Sequence, residues 1–339
     1  MILVGDIGGT HARIALARSE GTSIRIDRAR AFESAEYPGL VEVLDDFLGG
    51  GTPPDLEGAA FGIAGPIEDG KCLATNLPWH IHGRDIGRRF GIDRVVLLND
   101  LEAAAYGVEA LEPEDMIVVN EGVGLDAASG NRAVVSAGTG LGEAGMYWDG
   151  AHHHPFATEG GHTDFAPRNE LEFELLQFLI EKHGRVSYER VLSGPGLLNI
   201  YDFFAQTGRY EEDAAFERAL RDADDRGRVI SDAALSGSSA RCAAVLELFM
   251  TLYGSEVGNV ILKHLATGGV WLGGGIIGSL APRMRGFDAF LGAMTRKGRL
   301  SPLVGQTPVI AILDGSIALR GAAVSALRAD GVRCPSPTR

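Results

Sequence analysis

The chain has 339 residues, a formal net charge of −14 and a 45% hydrophobic fraction. This length predicts two domains, and the hydrophobic fraction is enough for a sizeable core. The acidic balance argues against a protein that binds nucleic acid or anionic membrane surfaces, because both partners require basic patches.

The N-terminal third is predicted to be rich in β-structure. An apolar run at residues 2–5 is followed by Asp6 and a glycine pair, and a second run lies at 13–18. This pattern predicts a β-hairpin with a glycine-rich turn. Alternating and helical spacings of apolar residues predict the other elements. These are strands at 23–31, 59–64, 71–75 and 94–98 and helices at 40–48, 85–90 and 101–111.

The same plan recurs from residue 116 onward. A strand at 116–120 is followed by a strand at 133–137, a glycine-rich turn and a returning strand through 147. GDIGGT at 5–10 and SAGTGLGEA at 136–144 are therefore candidate equivalents in two related halves. Apolar spacing at i, i+3 and i+4 then predicts mainly helices. They lie at 170–182, 196–206, 212–222, 240–264 and 315–327, with strands at 269–272 and 309–312, and the residues from 331 are predicted to be disordered.

No segment is predicted to direct the chain into or across a membrane. The N-terminus has no basic stretch, and the longest apolar run, at 270–281, is shorter than the roughly 20 residues of a membrane span. Cys72, Cys242 and Cys334 are far apart and form no CxxC pair, which argues against a thiolate metal site and favours a reducing compartment. We therefore expect a cytoplasmic protein.

The turn of the N-terminal hairpin is suited to bind phosphate. Gly8 and Gly9 allow the backbone to approach a ligand with its N–H groups, which are good donors to phosphate oxygens. Asp6 is suited to face the metal ion that accompanies ATP, and Thr10 to hydrogen-bond a phosphate. The alternative is an ordinary hairpin turn, because the same residues are common in turns.

The second glycine-rich turn, SAGTGLG at 136–142, has the same character. Gly138 and Gly140 flank Thr139 directly after a predicted strand. A plain turn is again the alternative, although two such turns in matching places are less expected than one. Neither turn carries the GK[ST] triplet of a Walker A loop. The phosphates must therefore be held by backbone amides and threonines rather than by a P-loop lysine.

Two more glycine-rich segments are candidates for nucleotide contacts. GGVWLGGGI at 268–276 ends a predicted strand in Gly273, Gly274 and Gly275, which permits the close approach of a base or a ribose. A tight strand-to-helix connection is the alternative. GVGLDA at 122–127 fits the dinucleotide pattern GxGxxA, but no convincing helix follows it. We therefore favour the first segment.

Asn99 and Asp100 follow a predicted strand directly. This position is where open α/β sheets bind their ligands, at the carboxyl ends of their strands. Asp100 is a candidate general base that accepts the proton of a substrate hydroxyl as it attacks the γ-phosphate. The alternative is that Asp100 is only the N-cap of the helix that follows.

A group of polar residues downstream is suited to bind a polyol. Glu159, His162 and Glu189 offer two carboxylates and an imidazole, which can hydrogen-bond the vicinal hydroxyls of a sugar. Metal ligation is the rival interpretation, aided by three histidines at 152–154, but two glycines separate Glu159 from His162 and no helix is predicted there. The three histidines are more typical of a solvated loop. Ser187 is a candidate helix cap, which would give its segment a structural role only.

Apart from GVGLDA, these five motifs, in their order along the chain, resemble those of the bacterial glucokinases, which belong with hexokinases, actin and heat-shock ATPases in one superfamily. The resemblance extends from Gly5 to Ala323. His11 stands where asparagine is common in the family. The CxCGxxGC motif of the other bacterial sugar kinases, a family that includes repressors, is absent, so we do not expect a sugar-sensing repressor. The segments that carry the resemblance are GDIGGTHAR, LLNDLEA, SAGTGLGEA, TEGGHTDFAP, RVSYERVLSGPG and GGVWLGGGI.

The resemblance implies a role for each motif. Asp100 matches the catalytic base, and ATP is the implied phosphate donor, with Mg²⁺ contacted by Asp6 through water. The implied glucose contacts are Asn99, Asp100, Glu159, His162 and Glu189. The implied nucleotide contacts are Asp6, Gly8, Gly9, Thr10, Gly138, Thr139, Gly140, Gly273, Gly274 and Gly275.

The resemblance also implies an α/β fold with two ribonuclease-H-like domains of the actin-type ATPase class and an active-site cleft between them. The small domain is expected at 1–112 plus 313–330. The large domain, with helical insertions, is expected at 113–312, which leaves 331–339 as a tail. A homodimer is the family expectation.

The implied activity is that of a glucokinase. Such an enzyme transfers the γ-phosphate of ATP to the 6-hydroxyl of glucose and gives glucose 6-phosphate and ADP, the first step of glycolysis. The residues leave other functions open: a kinase of another hexose such as mannose, an actin-type ATPase without a sugar substrate, or a sugar sensor without catalysis. Asp100 and the two phosphate loops argue against the sensor, and the polar group at 159–189 argues against the ATPase.

Overall fold

The computed structural model describes residues 1–20, 23–49, 55–74, 77–284 and 286–328. Two units divide the chain. The first comprises Met1–Pro113 and the chain from Asp314 onward, and the second comprises Glu114–Leu313. The predictions made for residues 331–339, for Cys334 and for residue 75 of strand 71–75 lie outside the described residues.

The first unit contains one large sheet and one small sheet. Its strands are β1 (Ile2–Ile7), β2 (His11–Glu20), β3 (Ser23–Glu33), β4 (Gly58–Ile63), β5 (Ile67–Glu68), β6 (Lys71–Leu73), β7 (His80–His82) and β8 (Val95–Asn99). Its helices are α1 (Leu40–Leu48), α2 (Gly83–Phe90), α3 (Asp100–Gly107) and, at the end of the chain, α12 (Ile317–Leu327). The large sheet has the order β3-β2-β1-β4-β8, and the small one has the order β5-β6-β7.

The parallel strands of the large sheet end together. β1 pairs antiparallel with β2, as the hairpin prediction requires, and parallel with β4, which pairs parallel with β8. The register aligns Ile7 with Ile63, and Ile63 with Asn99. The turn after β1 and the start of α3 therefore lie at the same edge of the sheet.

Both faces of the central strand β1 are buried, which explains its continuous apolar sequence. Leu3 belongs to a core cluster with Leu44 of α1, whereas Val4 belongs to a separate cluster with Ala322 of α12. Successive side chains of a strand point to opposite faces, so this division gives a helix layer on each side. The contact between α12 and α3 is close: a Cβ at Gly321 would come within 1.7 Å of a backbone oxygen of α3.

The second unit repeats this plan with more helices. Its strands are β9 (Met116–Asn120), β10 (Arg132–Ala137), β11 (Leu141–Trp148), β12 (His153–Ala157), β13 (Val270–Gly273) and β14 (Val309–Ile312). Its helices are α4 (Glu170–His183), α5 (Gly194–Gln206), α6 (Ala214–Asp222), α7 (Arg226–Ser236), α8 (Ala240–His264), α9 (Gly275–Leu280), α10 (Asp288–Thr295) and α11 (Ser301–Gly305). The sheet order is β12-β11-β10-β13-β14-β9. Like β1, β10 pairs antiparallel with the next strand and parallel with a later one, which confirms the predicted repeat.

Helix α8 forms the centre of the second unit's core. It is the one helix of the described residues that is long and apolar enough to cross a bilayer, yet 78% of its most apolar window is buried inside the protein. Phe249 and Tyr253 are fully buried, and Tyr253 stacks edge-on against Phe290 of α10. These contacts are those of a core helix.

Candidate active site

The turn between β1 and β2 is fixed by its neighbours and open on its outer side. Gly8 N donates to His11 O at 2.9 Å, which closes the turn. Ser34, at the end of β3, donates its hydroxyl to Gly8 O at 3.0 Å and its N–H to Thr10 O at 2.8 Å. Thr10 is exposed, and Gly8 and Gly9 are partly exposed. The predicted hairpin turn is confirmed, and it leaves these residues accessible to a ligand.

Asp6 is held in place at the end of β1. Its Oδ2 atom lies 2.9 Å from Nη2 of Arg13 on the paired strand, and Arg13 Nη1 donates to Gly315 O at 2.8 Å. Burial raises the pKa of Asp6, and the charge and hydrogen bond of Arg13 act against that rise. The carboxyl group of Asp6 is thus held beside the glycine-rich turn, with a cation that favours its charged form.

The junction of β8 and α3 separates the roles of Asn99 and Asp100. Asn99 is the N-cap, and its Oδ1 accepts from Leu101 N at 3.0 Å and Glu102 N at 3.4 Å. The interpretation of Asp100 as the cap is therefore wrong. Asp100 is the first helical residue, and its Oδ1 accepts from Leu101 N at 2.9 Å. A negative charge is favoured there by the helix dipole.

The glycine-rich turn between β10 and β11 is also closed by its own backbone, and it is one residue shorter than the first turn. Gly138 N donates to Gly140 O at 2.9 Å, and Gly138 O accepts from Gly194 N at the start of α5 at 2.8 Å. Thr139 at the tip is exposed. The plain-turn interpretation and the phosphate-binding one agree with this geometry equally, because both need a short closed turn with an accessible tip.

The third glycine segment lies beside the second turn. β13 is the parallel neighbour of β10, with Gly273 opposite Ser136, so residues 273–275 and the turn at 138–140 share one sheet edge. Gly274 has φ +89°, and a Cβ there would come within 2.2 Å of Ala137 O. Only glycine fits this approach. α9 begins at Gly275, so the segment forms the tight strand-to-helix connection that is the alternative interpretation.

Glu159, His162 and Glu189 come together in the second unit. His162 Nε2 lies 3.8 Å from Glu159 Oε2, and its Nδ1 lies 4.0 Å from Glu189 Oε1. Glu159 and His162 border a 3₁₀ turn, Gly160–His162, and their side chains are 78% and 57% exposed. Glu189, in a second 3₁₀ turn, is 30% exposed and accepts from Leu141 N at 3.1 Å. That bond joins the polar cluster to the second glycine-rich turn.

The metal interpretation of this region is not favoured. In the part of the chain that the structure describes, no group of three or more His, Cys, Asp or Glu side chains is placed to hold a metal ion. The expectation that the three histidines form a solvated loop is also wrong, because His153 and His154 belong to β12. His153 is buried with its Nε2 3.1 Å from Gly130 O, and His154 Nε2 lies 2.7 Å from Asp149 Oδ2.

Two further alternatives are decided by local structure. Ser187 is buried and makes no side-chain cap bond to the turn that it precedes, so the interpretation as a cap is wrong. Residues 122–127 form turns after β9, without a helix, so the GxGxxA pattern does not open a dinucleotide-binding unit.

Sequence reasoning did not identify three residues that support the site. These are Arg13, Ser34 and Glu143, whose carboxyl group is buried beneath Gly160. Glu143 and Arg13 each have a signal in the sequence, because a charged residue inside an apolar strand requires a partner. The partners of Arg13 and Ser34 become visible only when the strands are paired.

Comparison with known proteins gives one consistent match. The family model for glucokinases matches residues 3–329 of the chain. A glucokinase of Nostoc punctiforme is 36% identical over 344 residues, which cover 97% of this chain and 99% of that protein. Among solved structures, a glucokinase from an Antarctic psychrotroph is 31% identical, with a TM-score of 0.81 over 96% of this chain and 98% of its own.

A more distant structure shares the fold. A ROK family glucokinase from Streptomyces griseus, in complex with glucose and AMPPNP, has a TM-score of 0.64 at 22% identity. The match covers 96% of this chain and 98% of that one. The mixed α/β architecture therefore extends beyond the relatives that are similar in sequence.

Proposed function

The chain belongs to the glucokinase family, and we propose that it transfers the γ-phosphate of ATP to the 6-hydroxyl of glucose, giving glucose 6-phosphate and ADP. The observation that carries this proposal is the bond between Glu189 Oε2 and Leu141 N. It attaches a carboxylate suited to a sugar to the backbone of a turn suited to phosphate. Phosphoryl transfer depends on positioning, so both substrates must be held close together.

We assign the nucleotide to the three glycine-rich segments. Backbone N–H groups at 8–10 and 138–140 would hold the β- and γ-phosphates, with the hydroxyls of Thr10 and Thr139 as further donors. Residues 273–275 would lie against the base or ribose. The accessible turn tips and the shared edge of β10 and β13 support this assignment. It also agrees with the AMPPNP in the Streptomyces griseus structure of the same fold.

We assign the sugar to the polar cluster and to the start of α3. Glu159, His162 and Glu189 would bind the ring hydroxyls, and Asn99 would add an amide contact. Asp100 would accept the proton of the 6-hydroxyl as its oxygen attacks the γ-phosphate. Asn99 occupies the cap position, and this leaves Asp100 outside the capping role. Its carboxylate is thus suited to base chemistry.

The surroundings of Asp6 fit a magnesium ion held mainly by the nucleotide. Mg²⁺ usually keeps several waters and binds one or two carboxylates plus substrate phosphates. Asp6 supplies one such carboxylate, 19% exposed, and the described residues contain no larger cluster of metal ligands. We propose that Asp6 contacts the ion through water. When bound, Mg²⁺ balances the negative charge of the phosphates.

We extend the proposal to the architecture and the assembly. The two units would be the two actin-type domains, with ATP and sugar in a cleft between them. The repeated strand order of the two sheets supports this assignment. A homodimer and a cytoplasmic location belong to the same proposal and rest on the family resemblance.

The test is the release of ADP from MgATP with each of several sugars. We expect strong stimulation by glucose and little by mannose, fructose, galactose or N-acetylglucosamine. Stimulation by a different sugar alone would retain the kinase and change its substrate. ADP release that ignores every sugar would contradict the proposal and favour an actin-type ATPase.

A further inference from the structure

A buried carboxyl group lies directly beneath the turn that carries Glu159 and His162. Glu143, the third residue of β11, is only 2% exposed. A Cβ at Gly160 would come within 1.9 Å of Glu143 Oε2, so the carboxyl group touches the backbone of the turn. Thr158 Oγ1 also donates to Glu143 O at 2.8 Å. The turn therefore packs directly on Glu143, through both its side chain and its backbone.

A second buried carboxyl group, from Glu256 of α8, lies beside the first. Glu256 is fully buried and accepts from Lys263 Nζ at 2.7 Å and from Asn259 Nδ2 at 2.8 Å. Lys263 Nζ is 4.0 Å from Glu143 Oε2. The lysine is thus closely paired with Glu256 and only distantly with Glu143.

The buried surroundings of Glu143 favour the protonated, neutral form of its carboxyl group. Its Oε1 atom is buried and has no hydrogen-bond donor among the described residues. Burial, and then the charge of Glu256, raise the pKa of Glu143 from 4.5 to about 7, while Lys263 acts in the opposite direction. Two carboxyl groups can hydrogen-bond one another only when one of them carries a proton.

We propose that Glu143 is a positioning residue for the sugar, and that its neutral form supports the Gly160 turn in the geometry that binds glucose. Ionised Glu143 draws water into the contact and repels the carboxylates of Glu159 and Glu189, so the turn moves and glucose binds more weakly. The inference rests on the proposed glucokinase function. It adds that glucose binding is coupled to a proton on a residue that does not touch the sugar.

The other titratable groups around the pair do not replace Glu143 in this role. Tyr253 donates its hydroxyl to Val135 O, and burial raises its pKa; burial and the charge of Glu256 likewise raise the pKa of Tyr188. Burial and the charge of Arg168 lower the pKa of Lys297, whose Nζ donates to Ser255 O and to Asn259 Oδ1. The exposed side chains of His162 and Glu159 also lie on this turn, so a comparison between variants must isolate Glu143.

The experiment compares the wild type with Glu143→Gln, which has the same shape and stays neutral. Between about pH 6 and about pH 8.5, we expect the wild-type KM for glucose to rise about fivefold or more. In Glu143→Gln it stays low, and the KM for ATP changes alike in both proteins. Glu181→Gln, on the exposed face of α4, is the matched control and follows the wild type. Calorimetry in buffers of different ionisation enthalpy should show proton uptake with glucose near pH 7.5 only in proteins that keep Glu143.

Thermal unfolding without ligands checks the titration itself. The native state holds this proton more tightly than the unfolded chain, so stability falls as pH rises from 4.5 to about 7. The melting temperature of the wild type should fall more steeply across that range than that of Glu143→Gln. This measurement needs no substrate.

A second variant keeps the test decisive if Glu143→Gln folds poorly. Gly160→Ala places a Cβ against Glu143 Oε2, and we expect it to raise the KM for glucose at every pH without changing the KM for ATP. An unchanged KM for glucose in Gly160→Ala would overturn the inference, and so would equal pH profiles and proton uptake in the wild type and Glu143→Gln. A wild type that does not phosphorylate glucose would overturn the proposed function as well, whereas the comparisons between variants test only the role of Glu143.

Discussion

At the scale of single residues, Asp100 can be changed without disturbing the helix that it begins. Its Oδ1 accepts from Leu101 N, while the capping bonds belong to Asn99. Asparagine at position 100 would keep an oxygen acceptor of the same shape. The substitution therefore removes the negative charge and basicity of the carboxylate and keeps an acceptor for Leu101 N.

We expect Asp100→Asn to lower kcat by about 10²–10⁴-fold, the usual contribution of general acid–base catalysis. Glucose affinity should change little, because Glu159, His162 and Glu189 remain. Steady-state kinetics together with direct glucose binding would show this. Asp93→Asn, an exposed residue before β8, is the control. Wild-type turnover in Asp100→Asn would remove the base assignment.

The residues that sequence reasoning identified and those that it missed differ in how they depend on the fold. Asp6, Asp100 and the glycines follow strands directly, so a linear motif is enough to find them. Glu143 is different, since its meaning comes from Gly160 and Glu256, which lie far away along the chain. The sequence shows that residue 143 is a glutamate, but it does not show that this side chain contacts Gly160 and Glu256.

At the scale of elements, Asn99 is both the N-cap that stabilises α3 and a proposed sugar contact. Asn99 Oδ1 accepts from two backbone N–H groups of the first turn, which have no backbone carbonyl partner within the helix. We expect Asn99→Ala to lower the free energy of unfolding by about 1 kcal/mol. Asn99→Asp should be less destabilising, because aspartate caps equally well and suits the helix dipole, and it loses only the 3.4 Å bond from Asn99 Nδ2 to Gly65 O.

The same pair of variants tests the sugar contact of Asn99. Both remove the amide donor, so both should weaken glucose binding, although only Asn99→Ala loses the helix cap as well. Urea unfolding and the KM for glucose separate the two effects. Wild-type glucose affinity in Asn99→Asp would leave Asn99 as a cap alone.

Secondary structure was predicted well where one signal dominates. Helix α8 has the predicted bounds, because its apolar residues recur with helical spacing over 25 residues and Ser239 caps its first turn. Strand β14 also has its predicted bounds, 309–312. The predicted helix 101–111 instead ends at Gly107 and continues as a 3₁₀ turn, since glycine weakens the helix there.

Four helices of the second unit were not predicted. Three of them, α9, α10 and α11, are eight residues or shorter and contain glycine, which lowers intrinsic helix propensity. They form because they bury side chains such as Ile277, Phe290 and Val304 in the core. α7 has Gly227 in its first turn and buries Ile230. Tertiary packing rather than local preference decides such segments.

At the scale of the whole molecule, the proposed glucose contacts are divided between the two units. Asn99 and Asp100 belong to the first, and Glu159, His162 and Glu189 belong to the second. The two sheets repeat the same strand order. Each unit therefore has its own glycine-rich turn after its central strand, β1 in the first unit and β10 in the second. The repeat was predictable from two motifs, GDIGGT and SAGTGLGEA. The hydrogen bonds that hold each turn were not, because they come from Ser34 and Gly194 outside the motifs.

If one glucose molecule uses residues of both units, its binding must stabilise segments of both. We expect glucose to slow amide hydrogen exchange in peptides that contain Asn99 and in peptides that contain Glu159 or Glu189. Both sets should respond with the same dependence on glucose concentration, because a single binding event is linked to each. A peptide from α6 and α7, which carry no proposed contact, serves as the internal control.

Galactose at the same concentration is the ligand control for this experiment. If the sugar site is specific for glucose, galactose should leave exchange unchanged in every peptide. Slower exchange around Glu159 and Glu189 alone would restrict the sugar to the second unit, and Asp100 could not then receive the proton of its hydroxyl. Slower exchange in both units with one midpoint is the result that the proposed reaction requires, since the base and the sugar contacts must act on the same molecule.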